Sequence, residues 1–190
     1  MKQKIQIRGL IGSVAFLLFL IFPSSAFCQG ASINDVKVKG TNGGWKVSFN
    51  VQNCFTEKME EAIQSGIQTT FTFYVHLNQK RSWWKDRKVA SVKFHHTIQY
   101  NPIQKVHQVT LEENHSSLVA SGFEEAKKLM ANVNELEIRS PSPLKPNVQT
   151  YFRIKAELDP VRLPLHLEYL FFFVSLWDFE TDWYIEPLPP

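Results

Sequence analysis

Reactive side chains are few in this chain and poorly spaced for joint work. Asp178, Glu180 and Asp182 stand two apart in "DFETDW". In an extended segment these three carboxylates share a face, where clustered oxygens could ligate calcium or form an acid and base pair. The glycine turn and bidentate glutamate of an EF-hand are missing, and no third group positions a substrate, so solvated acids at a helix end are the expectation. Six histidines invite a metal reading. His95 and His96 are consecutive and, on a strand, point to opposite faces. His96 and His107 become directly opposed if Asn101 and Pro102 form a two-residue turn, yet two ligands without a third or fourth make no zinc site. Core-edge histidines are expected instead. Cys54, close to Val51 and Phe55, has the setting of a buried thiol, and a nucleophile would need a histidine base that the sequence does not place beside it. No catalytic, cofactor-binding or metal-ligating residue is assigned, and no cofactor is expected.

Aromatic residues carry the stronger signals. "QKRSWWKDRK" sets Trp83 and Trp84 among Lys80, Arg81, Lys85, Arg87 and Lys88. Indoles sit well at lipid headgroup level, and cations beside them would meet anionic lipid or lipopolysaccharide phosphates. A plainer alternative packs one indole on a sheet while the charges solvate a loop or pair with the acidic C-terminus, since adjacent strand residues face opposite ways. The second signal is "EYLFFFVSLWDFETDWY", from Glu168 to Tyr184. The apolar run that overlaps it, Leu163 to Trp177, holds Pro164, His166 and Glu168 and is too short to span hydrocarbon. As a helix it is apolar nearly all round, so it must be covered by the rest of the fold, by lipid, by a second copy or by a partner. The candidate interaction surface is thus Trp83, Trp84, Lys85, Arg87, Tyr169, Phe172, Trp177 and Trp183.

The elements that would position these residues follow from periodicity. "INDVKVKGTNGGWKVSFNVQN" alternates in two runs about Thr41 to Gly44, which predicts a hairpin with Trp45, Val47, Phe49 and Val51 on one face. Phe55, Met59, Ala62 and Ile63 then fall on a helical stripe, with Thr56 as cap and Gly66 as stop. Three alternating runs predict a meander: Phe71 to Leu77, Val92 to Tyr100, and His107 to Leu111. Ser121 and Glu124 match a capping box before Phe123, Ala126, Met130 and Val133. "SPSPLKPN" is a loop, and Tyr151 to Leu158 is a last strand. About six strands and two or three helices predict a β-rich α+β fold: an antiparallel, immunoglobulin-like β-sandwich with two short helices inserted and a C-terminal apolar helix.

The N-terminus has the form of a secretory signal. Lys2, Lys4 and Arg8 precede an uncharged run from Gly9 to Phe22, then Pro23 and small residues. Cleavage after Cys28 gives a signal peptide over 1–28, a single domain over 31–184 and a proline-rich tail over 185–190. A lipoprotein anchored through Cys28 is disfavoured by Phe27, which fills the small-residue slot. Removing the signal takes three of 21 basic residues and leaves 18 against 18 acidic ones, so the mature domain is neutral and nucleic acid is not an expected partner. With Cys54 as its sole cysteine it has no internal disulfide, and core packing must hold it. The 13% aromatic content supports such a core.

"MEEAIQSGIQTTFTFYVHL", "RSWWKDRKVASVKF", "FEEAKKLMANVNELEI", "RIKAELDPVRLP" and "FFFVSLWDFETDWY" together resemble the exported proteobacterial family of domain of unknown function 4390, over roughly Ser32 to Tyr184. The resemblance implies a small exported protein with an accessory role at the envelope and offers no catalytic residues to carry over. The expectation is a periplasmic, non-enzymatic binding or accessory module that docks to an envelope protein or membrane surface through aromatic residues. A small-ligand sensor is the alternative, and a metal-dependent or carboxylate-based enzyme is a third.

Overall fold

The computed structural model describes residues 30–159 and 179–189. The signal peptide expected over 1–28 and the apolar helix expected between Leu163 and Trp177 lie outside the described residues. Among those described, no helix is long and apolar enough to cross a membrane.

Two antiparallel sheets make up most of the described residues. β1 (Ser32–Thr41) and β2 (Gly44–Gln52) form the expected hairpin, turning through Asn42 and Gly43 with Thr41 paired to Gly44. Gly43 takes φ +102°, a conformation an L side chain rarely adopts. β7 (Asn132–Arg139) joins them in the order β1-β2-β7. The larger sheet has the order β6-β5-β4-β3-β8-β9, built from β3 (Thr69–Gln79), β4 (Arg87–Asn101), β5 (Val106–Leu111), β6 (Ser116–Ala120), β8 (Thr150–Leu158) and β9 (Tyr184–Pro187). Ile185 to Pro187, within the stretch expected as a proline-rich tail, thus pair with β8.

Strand alternation places the core as the sequence requires. Phe71, Phe73, Val75 and Leu77 of β3 are fully buried, as are Phe152, Ile154 and Ala156 of β8. Each buried phenylalanine contributes about 2 kcal/mol through apolar area removed from water. The sheets meet through aromatic contacts: Phe49 of β2 lies 5.9 Å from Phe73, and Trp45 meets Phe152 edge-on at 6.1 Å.

Helix α1 (Glu57–Gln64) follows β2, with the Thr56 hydroxyl accepting from the Met59 N–H at 3.3 Å. Gly66, at φ +90°, lies just beyond its end. Helix α2 (Phe123–Ala131) departs from the expected capping box: its N-cap is Gly122, with no side-chain cap bond. Ser121 is one residue too early, and Glu124 pairs with Lys127 on the next turn. Val133, expected on that helical stripe, is instead a buried β7 residue, because the helix stops at Ala131 and Asn132 is already extended.

The turn between β4 and β5 also differs. Asn101 pairs with Val106, so four residues separate the strands rather than two. The Asn101 side chain accepts from the N–H groups of Ile103 and Gln104, and Lys105 closes the turn at φ +55°. His107 therefore faces Tyr100, and His96 faces Leu111, so the two histidines are not opposed.

Candidate functional site

The β3–β4 hairpin ends in the basic, tryptophan-bearing loop, and its stem is firmly held. Gln79, the last residue of β3, is buried; its Nε2 donates to the Lys145 carbonyl at 3.1 Å and to Thr150 Oγ1 at 3.2 Å. Its Oε1 accepts from the Lys145 N–H at 3.2 Å, and the Lys80 N–H donates to the Gln149 carbonyl at 2.9 Å. Inside the loop, Asp86 Oδ1 accepts from the Arg81 N–H at 3.0 Å and Oδ2 accepts from the Tyr151 hydroxyl. These bonds, Tyr151 first, hold the Asp86 carboxyl below its usual range. Burial and the facing carboxylate push the Tyr151 phenol up to about 12.

Beyond this stem the two indoles are free. Trp83 is 96% exposed and Trp84 78%, so neither packs on the sheet as the plainer sequence alternative required. Lys80, Arg81, Lys85 and Lys88 are exposed around them, with Arg87 half-buried. The one acidic side chain of the loop is engaged by Arg81 and Tyr151, which leaves the rim basic. The indoles help to line a cavity of about 350 Å³, together with Lys80, Arg81, Arg87 and Lys145, among others.

Trp183 belongs elsewhere. It lies on the outward face of the six-stranded sheet, with the Arg153 guanidinium 4.4 Å from its ring and His76 at 4.9 Å. Lys155 beside it bridges Glu157 and Glu180, and Tyr74 donates to Glu157 at 2.6 Å. Glu180 is thus paired, and the inward positions of that segment belong to Phe179 and Thr181. Tyr169, Phe172, Trp177 and Asp178 lie outside the described residues.

The residues with chemical potential are spent on structure. Cys54 is buried, its Sγ 3.4 Å from the Val51 carbonyl, and burial pushes the thiol up to about 12. A thiol so rarely ionised is a poor nucleophile. His96 is fully buried, with Nδ1 2.9 Å from the Met130 carbonyl and Nε2 3.0 Å from the Glu113 carboxylate. It ties β4 to the turn before β6 and to α2. His107 is wedged between Tyr100 and Phe123 at 4.8 and 5.2 Å, and neither ring nitrogen has a protein partner. Among the described residues, no group of three or more His, Cys, Asp or Glu is placed to hold a metal ion.

The tip itself was legible as "KRSWWKDRK", whereas Gln79, Lys145 and Tyr151 were not picked out. Their roles depend on the pairing of Gln79 with Thr150, a register no local pattern encodes.

A family model described as Domain of unknown function (DUF4390) matches residues 28–186. No curated protein and no solved structure matches the chain.

Proposed function

The chain belongs to the DUF4390 family, and from that premise we propose that it is an exported, periplasmic accessory module without a catalytic step, which docks on an anionic membrane surface through Trp83 and Trp84. The observation that carries this reading is the exposure of two adjacent indoles, Trp83 at 96% and Trp84 at 78%, on a loop whose stem is fixed by the hydrogen bonds of the buried Gln79. Fixing the stem lowers the ordering cost of contact. Indoles partition to the headgroup level, and each cation near an anionic surface adds about 1 kcal/mol. The scaffold suits such docking, because its two sheets, taken as an immunoglobulin-like sandwich, gather loops at their ends, where such sandwiches bind. The basic n-region and apolar run of residues 1–28 support export.

Flotation of the purified protein with vesicles tests this. Binding should require phosphatidylglycerol, weaken steeply with salt, and fall at least tenfold in the Trp83→Ala, Trp84→Ala double variant with its melting point unchanged. Equal binding by the double variant, or no preference over pure phosphatidylcholine, would refute the reading.

A further inference from the structure

The basic tip borders a second, larger cavity, and the two differ in chemistry. This cavity, about 750 Å³, has a mainly apolar lining that includes Val38, Trp45, Leu144, Val148 and Leu188, with Lys145, Asn147, Gln149 and Thr150 as its polar members. Lys145 and Val148 line both cavities, so the apolar space opens directly beside the cationic one. Its volume lies in the range of about 300–1,000 Å³ typical of small-molecule sites. Among the described residues lining either cavity, none is acidic.

The walls are held in place independently of any ligand. Gln79 clamps both the N–H and the carbonyl of Lys145, so the loop between β7 and β8 stands off the sheet in a fixed position. On the far side the Leu188 N–H donates to the Thr150 carbonyl at 2.9 Å and brings the chain after β9 alongside. Trp45 is braced by its edge contact with Phe152. Two adjoining cavities held in this way, one mainly apolar and one bearing Lys80, Arg81 and Arg87, match an amphiphile with an anionic head and one apolar tail.

We propose that this composite groove takes a single acyl chain of an anionic lipid, with the tail against Trp45, Leu144, Val148 and Leu188 and the head among Lys80, Arg81, Arg87 and Lys145. The site rests on the membrane-docking reading only for the headgroup. Tail burial is a separate claim, because a tip that merely touches the surface has no use for an apolar cavity behind it.

The two claims separate in titrations of the purified protein with monomeric decyl phosphate, below its micelle-forming concentration. Full burial of a tail adds about fourfold in affinity per methylene, so decyl phosphate should bind at least a hundredfold more tightly than butyl phosphate. Decyl glucoside should bind more weakly than decyl phosphate, because it offers no charge to the basic residues. Leu144→Glu and Val148→Glu, half-buried loop positions whose backbone clamps stay intact, should each cost tenfold or more in decyl phosphate affinity at unchanged melting temperature. The Trp83→Ala, Trp84→Ala protein should lose vesicle flotation while keeping the preference for decyl over butyl phosphate, because neither indole lines the larger cavity that takes the tail. Equal affinity for butyl and decyl phosphate, or full binding by both glutamate variants, would overturn the groove and leave tip docking standing. Tighter binding of an acidic peptide than of decyl phosphate would overturn the assignment to lipid.

Discussion

His107 shows what a single buried side chain costs when the fold gives it no partner. The ring is stacked between Tyr100 and Phe123 and only 6% exposed, and burial holds its pKa below the usual 6.5. Below pH 6.5 the unfolded chain therefore takes up a proton that the folded one resists. The linkage has a definite sign: stability is fully present above about pH 6.5 and is lost as pH falls toward the depressed folded value. His76 is shifted the same way, by burial and then by the charges of Lys88 and Arg153, so it adds to the same slope. His107→Leu removes two unpartnered nitrogens and should raise unfolding stability by about 1 kcal/mol at pH 7. It should also flatten, without abolishing, the decline toward about pH 5.5. Urea titrations at the two pH values measure both effects. A decline as steep as that of the wild type would mean that other groups carry the acid sensitivity.

At the scale of elements, close backbone approach governs the β2–β7 pair. A Cβ on Gly44 would lie 2.5 Å from the Ile138 carbonyl oxygen and 3.3 Å from its carbon, and both are backbone atoms that cannot swing aside. Gly44→Ala should push β7 off the end of β2 and cost about 1–3 kcal/mol, read as a lower urea midpoint at unchanged slope. An unchanged midpoint would mean that the strand end has room to shift. β7 itself was the least legible of the larger elements. Val133, Leu136 and Ile138 are its inward residues, spaced three then two, because Glu135 at φ +51° bulges the strand where its register against β2 slips. One extra residue breaks period-two alternation, so "NVNELEIR" continued the helical pattern before it. β6 and β9 escaped for a different reason. They are edge strands with little buried surface, and exposed positions carry no alternation to find. β5 and β8, by contrast, alternate because one face of each lies on the core, and the central runs Phe71 to Leu77 of β3 and Val92 to Ile98 of β4 keep an apolar residue at every second inward position except His96. The exposed tip was visible through composition alone, but its clamps were not, since Gln79 and Lys145 are brought together only by the pairing of β3 with β8.

At the scale of the whole molecule, Phe73 couples the two sheets and extends the contact within its own. Phe73 lies within 5.9 Å of Phe49 in the smaller sheet and touches Phe94 and His96 in its own, at 5.1 and 4.6 Å. His96 passes the connection on to Met130 in α2 and to Glu113. The one cysteine among the described residues is unpaired and buried, so no cross-link shares this work. A small sheet whose inner face rests on the larger one, through Phe49 on Phe73 and Trp45 on Phe152, should have a stability that rises and falls with that of the larger sheet. Phe73→Ala deletes the shared ring and should cost about 3–5 kcal/mol, a large part of the roughly 5–15 kcal/mol that holds a domain of this kind together. Because Trp45 belongs to the smaller sheet and Trp183 lies against the larger one, single-tryptophan proteins retaining one or the other report on the sheets separately. Wild-type and Phe73→Ala proteins should each show superimposable unfolding curves from the two probes, displaced together by the substitution. Curves that separate in the variant, with Trp45 released first, would show that the contact of Trp45 with Phe152 does not suffice to hold the smaller sheet and that Phe73 is what makes the two sheets one cooperative unit.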